Sequence, residues 1–268
     1  MRKEIYRIWQ NDPTVTLTAI IDGDKQGKKS AVIVLPGGGY IANADSEADP
    51  IAEKFAQMGY CAFVLRYSTL YEGFDVSVGD ENLHTRFPEP MLEVGAAISF
   101  VRDCSAELGI DPEKIALIGF SAGGHLAANY CNKWNTDEIK KPLGIPAKKL
   151  KPNGCVLCYA ATSLFRISGS RMLEAIFGTD RIDEEKLRSY SAQHGVCGDT
   201  PPTFLWHSQM DDDVPVKDTE DIAAALAAQK VPYEMAIYPT GPHASGLSEG
   251  LPSQEWPDRA DRFLKENM

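Results

Sequence analysis

Gly119-Phe120-Ser121-Ala122-Gly123 sets a serine between glycines two residues to either side. A hydroxyl is a weak nucleophile unless a base takes its proton and the backbone holds its oxygen clear of the surroundings. The G-x-S-x-G spacing serves the second need. On a sharp strand-to-helix turn the serine stands exposed, and the glycines remove side chains that would collide there. The flanks support such a turn: Ile115-Ala116-Leu117-Ile118 enters it as a short apolar strand, and Gly124-His125-Leu126-Ala127-Ala128 leaves it as a helix. A helix starting at this point aims its first N–H groups at negative charge developing on a bound substrate. Ser121 is the candidate nucleophile for acyl transfer, and the amide of Ala122 a candidate oxyanion donor.

A second glycine cluster supplies the remaining donors. Leu35-Pro36-Gly37-Gly38-Gly39-Tyr40 follows an apolar strand. The tetrahedral intermediate of acyl transfer carries its charge on one oxygen, and N–H groups must already point at that oxygen. A glycine run lets the backbone approach, so the amides of Gly38 and Gly39 are expected to join that of Ala122. A phosphate-cradling loop would need Lys-Ser/Thr at fixed spacing, and Ile41-Ala42-Asn43 does not provide it. Tyr40 and residues of the 161–200 segment are expected to line the substrate pocket.

The base and its orienting acid follow by elimination among the five histidines, on the chain order nucleophile, acid, histidine. His84 precedes the serine. His125 lies inside the helix after Ser121 and packs locally. His194 sits in the 161–200 segment. His207 ends a strand ahead of every acid candidate and is better placed to fix the acid's loop. His243 remains, in the Gly/Pro loop Pro239-Thr240-Gly241-Pro242-His243-Ala244-Ser245-Gly246. The acid must lie just beyond the preceding strand, where Asp211, Asp212 and Asp213 are adjacent. Asp211 comes first and nearest the sheet edge where His243 must arrive; Asp213 is the alternative.

Loops so far apart in sequence converge only if a scaffold delivers their ends to one edge. Apolar runs at 30–35, 60–67, 114–119, 154–160, 203–207 and 233–238 read as strands, and residues 4–9 and 15–21 as two antiparallel edge strands. Helical spacing marks 49–58, 90–107, 122–130, 219–229 and 253–266. Continuous apolar strands alternating with helices predict a mostly parallel sheet of about eight strands covered on both faces. Residues 161–200, with short helices at 171–177 and 184–190, read as a small insert over the site within a single domain spanning 1–268.

Bulk properties narrow the partners. The net charge of −11 and the lack of a basic stripe disfavour nucleic acid and strongly anionic small substrates. No apolar run is long enough to span a bilayer and no secretory leader is visible, so a cytoplasmic protein without membrane association is expected. Among six cysteines, Cys155 and Cys158 form C-x-x-C. They lie on a strand, where i and i+3 face opposite sides, and no second pair completes a zinc site. No metal or cofactor is expected.

The chain resembles α/β-hydrolase esterases of the acetylxylan-esterase-like, carbohydrate-esterase type. The resemblance runs from about Ala31 to the C-terminus and rests on residues 35–40, residues 119–125, Asp211-x-x-Val214-Pro215 and Gly241-Pro242-His243. Its acid loop places the aspartate three positions before the valine, which implies Asp211. It further implies the α/β-hydrolase fold and cofactor-free hydrolysis of short acyl esters, commonly acetyl groups on sugars, so that an acetylated oligosaccharide is a candidate partner. Related lipases begin the oxyanion motif with His where this chain has Pro36. A peptidase or amidase with the same triad, a longer-chain lipase and a non-catalytic binding protein are the competing readings.

Overall fold

Period-2 patterning assigns the two faces of each inner strand to different clusters of apolar side chains. On β3 (Lys29–Leu35), Ile33 and Leu35 pack into one cluster and Val32 and Val34 into the other. On β5 (Ile110–Phe120) and β6 (Gly154–Cys158) the same alternation holds, Leu117 and Leu157 on one side, Ile118 and Val156 on the other. Cys155 and Cys158 therefore fall on opposite faces, both as buried free thiols. Strands buried on both faces must be covered twice. The helices α2 (Glu89–Asp103), α4 (Ser121–Lys133) and α9 (Lys217–Ala228) cover one face, and α1 (Asp49–Gln57) and α10 (Trp256–Asn267) the other.

The computed structural model describes residues 1–21, 28–72, 82, 85–167 and 171–268; His84 lies outside them. Among the described residues the sheet has eight strands in the order β1-β2-β4-β3-β5-β6-β7-β8. Here β1 is Arg2–Arg7, β2 Thr16–Ile21, β4 Cys61–Arg66, β7 Thr203–Ser208 and β8 Tyr233–Tyr238. The strand β2 runs antiparallel to β1 and β4, and all other pairs are parallel. This is the mostly parallel sheet with an antiparallel edge that the apolar runs predicted. The region flanked by Lys140-Lys141 and Lys148-Lys149 reads as a Pro/Gly loop in sequence. Residues 144–146 are that loop, with Gly144 left-handed, and the lysine pairs lie on the short helices that flank it, α5 (Asp137–Leu143) and α6 (Ala147–Leu150).

The 161–200 segment is not a detached lobe. Leu164, Leu173 and Ile176 are buried in the larger cluster together with β3 and α4 side chains, and Ile176 O accepts from Phe87 N–H at 2.9 Å. No helix among the described residues is long and apolar enough to cross a membrane.

Parallel strands place their C-terminal ends on one side of the sheet, and the loops leaving those ends make the crevice. The glycine loop leaves β3, the serine turn leaves β5, the aspartate loop leaves β7 and the His243 loop leaves β8.

Candidate active site

Residue Ser121 sits where β5 ends and α4 begins, with φ of 48°. A left-handed serine is strained, and strain of this kind persists only where the surroundings hold it. Both flanking glycines are required. A Cβ on Gly119 would lie 2.4 Å from Gly123 O, and one on Gly123 would lie 2.2 Å from Leu35 O and 2.3 Å from Pro36 O. The second approach seats the start of the glycine loop against the serine turn.

Across this turn the Ser121 Oγ lies 2.8 Å from His243 Nε2, and His243 Nδ1 lies 2.8 Å from Asp211 Oδ2. The other Asp211 oxygen accepts the backbone N–H groups of Asp213 (3.0 Å) and Val214 (2.8 Å). That closed turn is what the Asp-x-x-Val spacing encodes. The Asp213 side chain is exposed and only its backbone joins the turn. His207 does fix the loop: its Nε2 is 2.9 Å from Val214 O and 3.2 Å from Asp211 Oδ2, and its Nδ1 is 2.8 Å from Thr219 Oγ1.

Burial alone would raise the Asp211 pKa, but hydrogen bonds from His207, His243 and Val214 N–H outweigh it and hold the carboxyl well below the usual carboxylate range. Burial likewise works against a charged His243, and the hydrogen bond to Asp211 reverses that, raising its pKa above the ordinary histidine value. An ionised Asp211 accepts the Nδ1 proton, which leaves the Nε2 lone pair facing Ser121. The arrangement can withdraw the serine proton.

Gly38, Gly39 and Tyr40 all have positive φ (113°, 65° and 59°), which turns the loop sharply after β3. The Gly38 and Gly39 amides meet no acceptor among the described residues, while Gly38 O takes the Ile41 N–H at 2.9 Å. The Ala122 N–H belongs to the first turn of α4, where no carbonyl lies one turn back to receive it. These are the three amides expected as oxyanion donors.

The Tyr40 side chain corrects the sequence reading. It is fully buried, donates its hydroxyl to or accepts from His125 Nδ1 at 2.9 Å, and packs edge-on against Tyr67 and Phe87. A large apolar ring with one hydroxyl is best buried where that hydroxyl finds a partner, and buried His125 supplies it. Tyr40 shapes the loop through its backbone. His125 is pushed down to about 4 by burial and contacts Tyr190 O at 2.8 Å, a structural histidine.

Two buried polar residues beside the triad carry no signal in the sequence. Glu47 lies in Asp45-Ser46-Glu47-Ala48-Asp49, which reads as solvated charge, yet it is 1% exposed. Tyr159 reads as the end of a core strand, yet its ring lies 5.0 Å from that of His243, edge to face.

Residues 20–226 match the family model described as BD-FAE. The chain belongs to the BD-FAE family. The chain is 28% identical over 223 residues to an acetylxylan esterase of Xylanibacter ruminicola, covering 81% of this chain and 41% of that protein. It is 29% identical to endo-1,4-beta-xylanase B of Butyrivibrio fibrisolvens, covering 87% of this chain and 36% of the other. The chain thus spans roughly a third to just over half of the length of curated relatives it matches. A solved acetyl ester-xyloside bifunctional hydrolase from Caldicellulosiruptor lactoaceticus superposes with a TM-score of 0.83 at 32% identity, covering 99% of this chain and 96% of that one. The likeness confirms the α/β-hydrolase fold for this BD-FAE member.

Proposed function

We propose that the chain is a serine carboxylic ester hydrolase that removes short acyl groups, above all acetyl, from carbohydrate alcohols. The observation that carries this reading is the hydrogen-bonded line Ser121 Oγ, His243, Asp211 with 2.8 Å at each link. The Ser121 Oγ attacks the ester carbonyl while His243 Nε2 takes its proton and Asp211 stabilises the imidazolium. Charge on the former carbonyl oxygen meets the amides of Gly38, Gly39 and Ala122. His243 returns the proton to the departing alkoxide, leaving acyl-Ser121. Water, deprotonated by His243, then attacks the acyl carbon, and the acid leaves as Ser121 regains its proton. We treat the whole chain as one catalytic domain in which the 161–200 insert borders the site, since Ala161 N–H donates to Ser121 O at 3.2 Å.

Support for a carbohydrate alcohol comes from the relatives named above.

Hydrolysis of p-nitrophenyl esters from acetate to palmitate, with Ser121→Ala as control, tests the reading, followed by release of acetate from acetylated xylan oligomers. Fastest turnover of acetate, lost in Ser121→Ala, is the expected result. Preference for palmitate would transfer the site to a lipase, turnover of amides over matching esters to an amidase, and no turnover at all to a binding role.

A further inference from the structure

Burying a carboxylate without a cationic partner costs several kcal/mol on the usual scale unless hydrogen bonds replace the lost water. Glu47 is buried in this way directly behind the site. Its Oε2 accepts the Gly37 N–H at 2.8 Å, and its Oε1 accepts the Tyr159 hydroxyl at 2.6 Å. No lysine or arginine pairs with it among the described residues.

Each partner belongs to a different part of the machinery. Gly37 opens the oxyanion loop, and a Cβ there would sit 2.5 Å from Glu47 Oε2 and 3.0 Å from Ser121 Cβ, so the carboxylate, the loop and the nucleophile are in mutual contact. The Tyr159 hydroxyl in turn accepts the Gly246 N–H at 2.9 Å, three residues beyond His243. Tyr159 is held at φ of 37°, a strained backbone that turns its ring under His243. Gly246 also approaches the Glu47 turn itself, since a Cβ there would lie 3.2 Å from Ser46 O. One carboxylate thus ties the loop bearing the oxyanion donors to the loop bearing the base.

We propose that Glu47 is a positioning residue, which through Gly37 and the Tyr159–Gly246 link holds the oxyanion loop and the His243 loop in register and sets a negative charge behind the histidine that becomes cationic during turnover. The proposal rests on the ester-hydrolase reading of Ser121 and His243. Two loops from different strand ends must agree to within a fraction of an ångström for attack and oxyanion stabilisation to occur together. Attaching both to the same buried group achieves this without contact with substrate.

The groups facing His243 are Asp211 and Asp213 from the loop after β7, with His207 behind Asp211, Tyr159 from the end of β6, and Glu47 from the turn beyond β3. The charges of Asp211, Glu47 and Asp213 all favour protonated His243. Removing one of them lowers the pH at which the histidine loses its proton.

The test compares wild type with Glu47→Gln and Tyr159→Phe by two readouts. NMR titration of the His243 ring in the resting protein needs no turnover. The kcat and KM for p-nitrophenyl acetate across pH report catalysis. In Glu47→Gln the histidine titration and the acid limb of activity are expected to move down together by about half a pH unit. Its kcat is expected to fall about 10- to 100-fold with KM little changed. Tyr159→Phe, which keeps the ring but cuts the link to Gly246, is expected to lose kcat to a similar degree. An unmoved His243 titration in Glu47→Gln, or full kcat per folded molecule in both variants with only a lower Tm, overturns the proposal. Absence of ester turnover in wild type overturns the ester-hydrolase reading instead, and the titration still decides whether Glu47 acts on His243.

Discussion

Replacing Asp211 by Asn changes one atom, and the hydrogen bonds around it determine the outcome. Asp211 is acceptor only: Oδ1 takes two backbone N–H groups of its own turn, and Oδ2 faces His243 Nδ1 at 2.8 Å and His207 Nε2 at 3.2 Å. Asparagine keeps the turn by placing its carbonyl at the Oδ1 position, which sends its NH2 toward both histidines. His243 Nδ1 must then accept, so its proton moves to Nε2 and points at Ser121, and the base is lost. The corresponding wrong tautomer in serine-hydrolase triads lowers kcat by about 10⁴, or about 5 kcal/mol of transition-state stabilisation. His207 cannot compensate, because its Nε2 proton is directed to Val214 O at 2.9 Å and now opposes another donor. A stability loss of about 1–3 kcal/mol accompanies that clash. Stopped-flow hydrolysis of p-nitrophenyl acetate at pH 8 measures the first effect and urea unfolding the second. Asp213→Asn, at an exposed side chain, is expected to stay within about threefold of wild type. A kcat for Asp211→Asn within tenfold of wild type, or equal losses in the two variants, would refute the assignment.

Four further outcomes follow from the contacts of the site. The activity against pH is expected to fall on the acid side with a midpoint above about 6.5, since His243 must be neutral to act and its bond to Asp211 outweighs burial in raising its pKa; a midpoint well below 6 contradicts this. For stability the sign is that of a depressed carboxyl. The Asp211 contribution is fully present above the unfolded value near 3.9 and is lost as pH falls through the lower folded value, so the urea midpoints of wild type and Asp211→Asn converge only below about pH 4. Tyr40→Phe leaves buried His125 without its 2.9 Å partner and is expected to cost about 1–2 kcal/mol in unfolding free energy while kcat/KM stays within about threefold. A large loss of activity with native stability would restore Tyr40 to the substrate pocket. Gly123→Ala drives a Cβ to 2.2 Å from Leu35 O, backbone that cannot yield cheaply, and is expected to lower Tm by several degrees and abolish turnover.

What the sequence made legible was chemistry that depends on backbone conformation. Glycines at 119 and 123 announce a turn no other residue can make, and that turn singles out Ser121. The strands were equally plain, because burial on both faces writes continuous apolar runs such as Val32–Leu35 and Ile115–Ile118. The sequence hid the side chains whose burial opposes their residue type. Tyr40 follows three glycines and looks free to meet substrate, yet its ring is worth more in the core beside Phe87. Glu47 looks like a solvated acid in an acidic stretch. Its burial depends on Gly37 and Tyr159, partners 10 and 112 residues away, and no local pattern carries a contact at such separations.

Backbone strain joins these observations. Among the described residues six non-glycine residues have positive φ, and Tyr40, Ser121, Tyr159, Ala244 and Ser248 lie in the loops that form the site, leaving Lys230 apart. Such conformations cost on the order of 1–3 kcal/mol each, and nothing local favours them at Tyr, Ser or Ala. They persist because stiffer structure determines them: the parallel register of β3 with β5 and of β5 with β6 sets the loop ends, and the buried bonds of Glu47, Tyr159 and Gly246 set their paths. If so, the strain belongs to the site and not to the fold, and substitutions that relax it should separate the two. Tyr159→Gly or Ala244→Gly removes the φ penalty, and Ala244→Gly does so without deleting a side chain that packs. Ala244→Gly is therefore expected to raise Tm slightly while kcat stays within about threefold of wild type, because the alanine opposes the conformation that the contacts of the loop impose. A sharp fall of kcat in Ala244→Gly would show instead that the bonds of Glu47, Tyr159 and Gly246 do not suffice to hold the His243 loop.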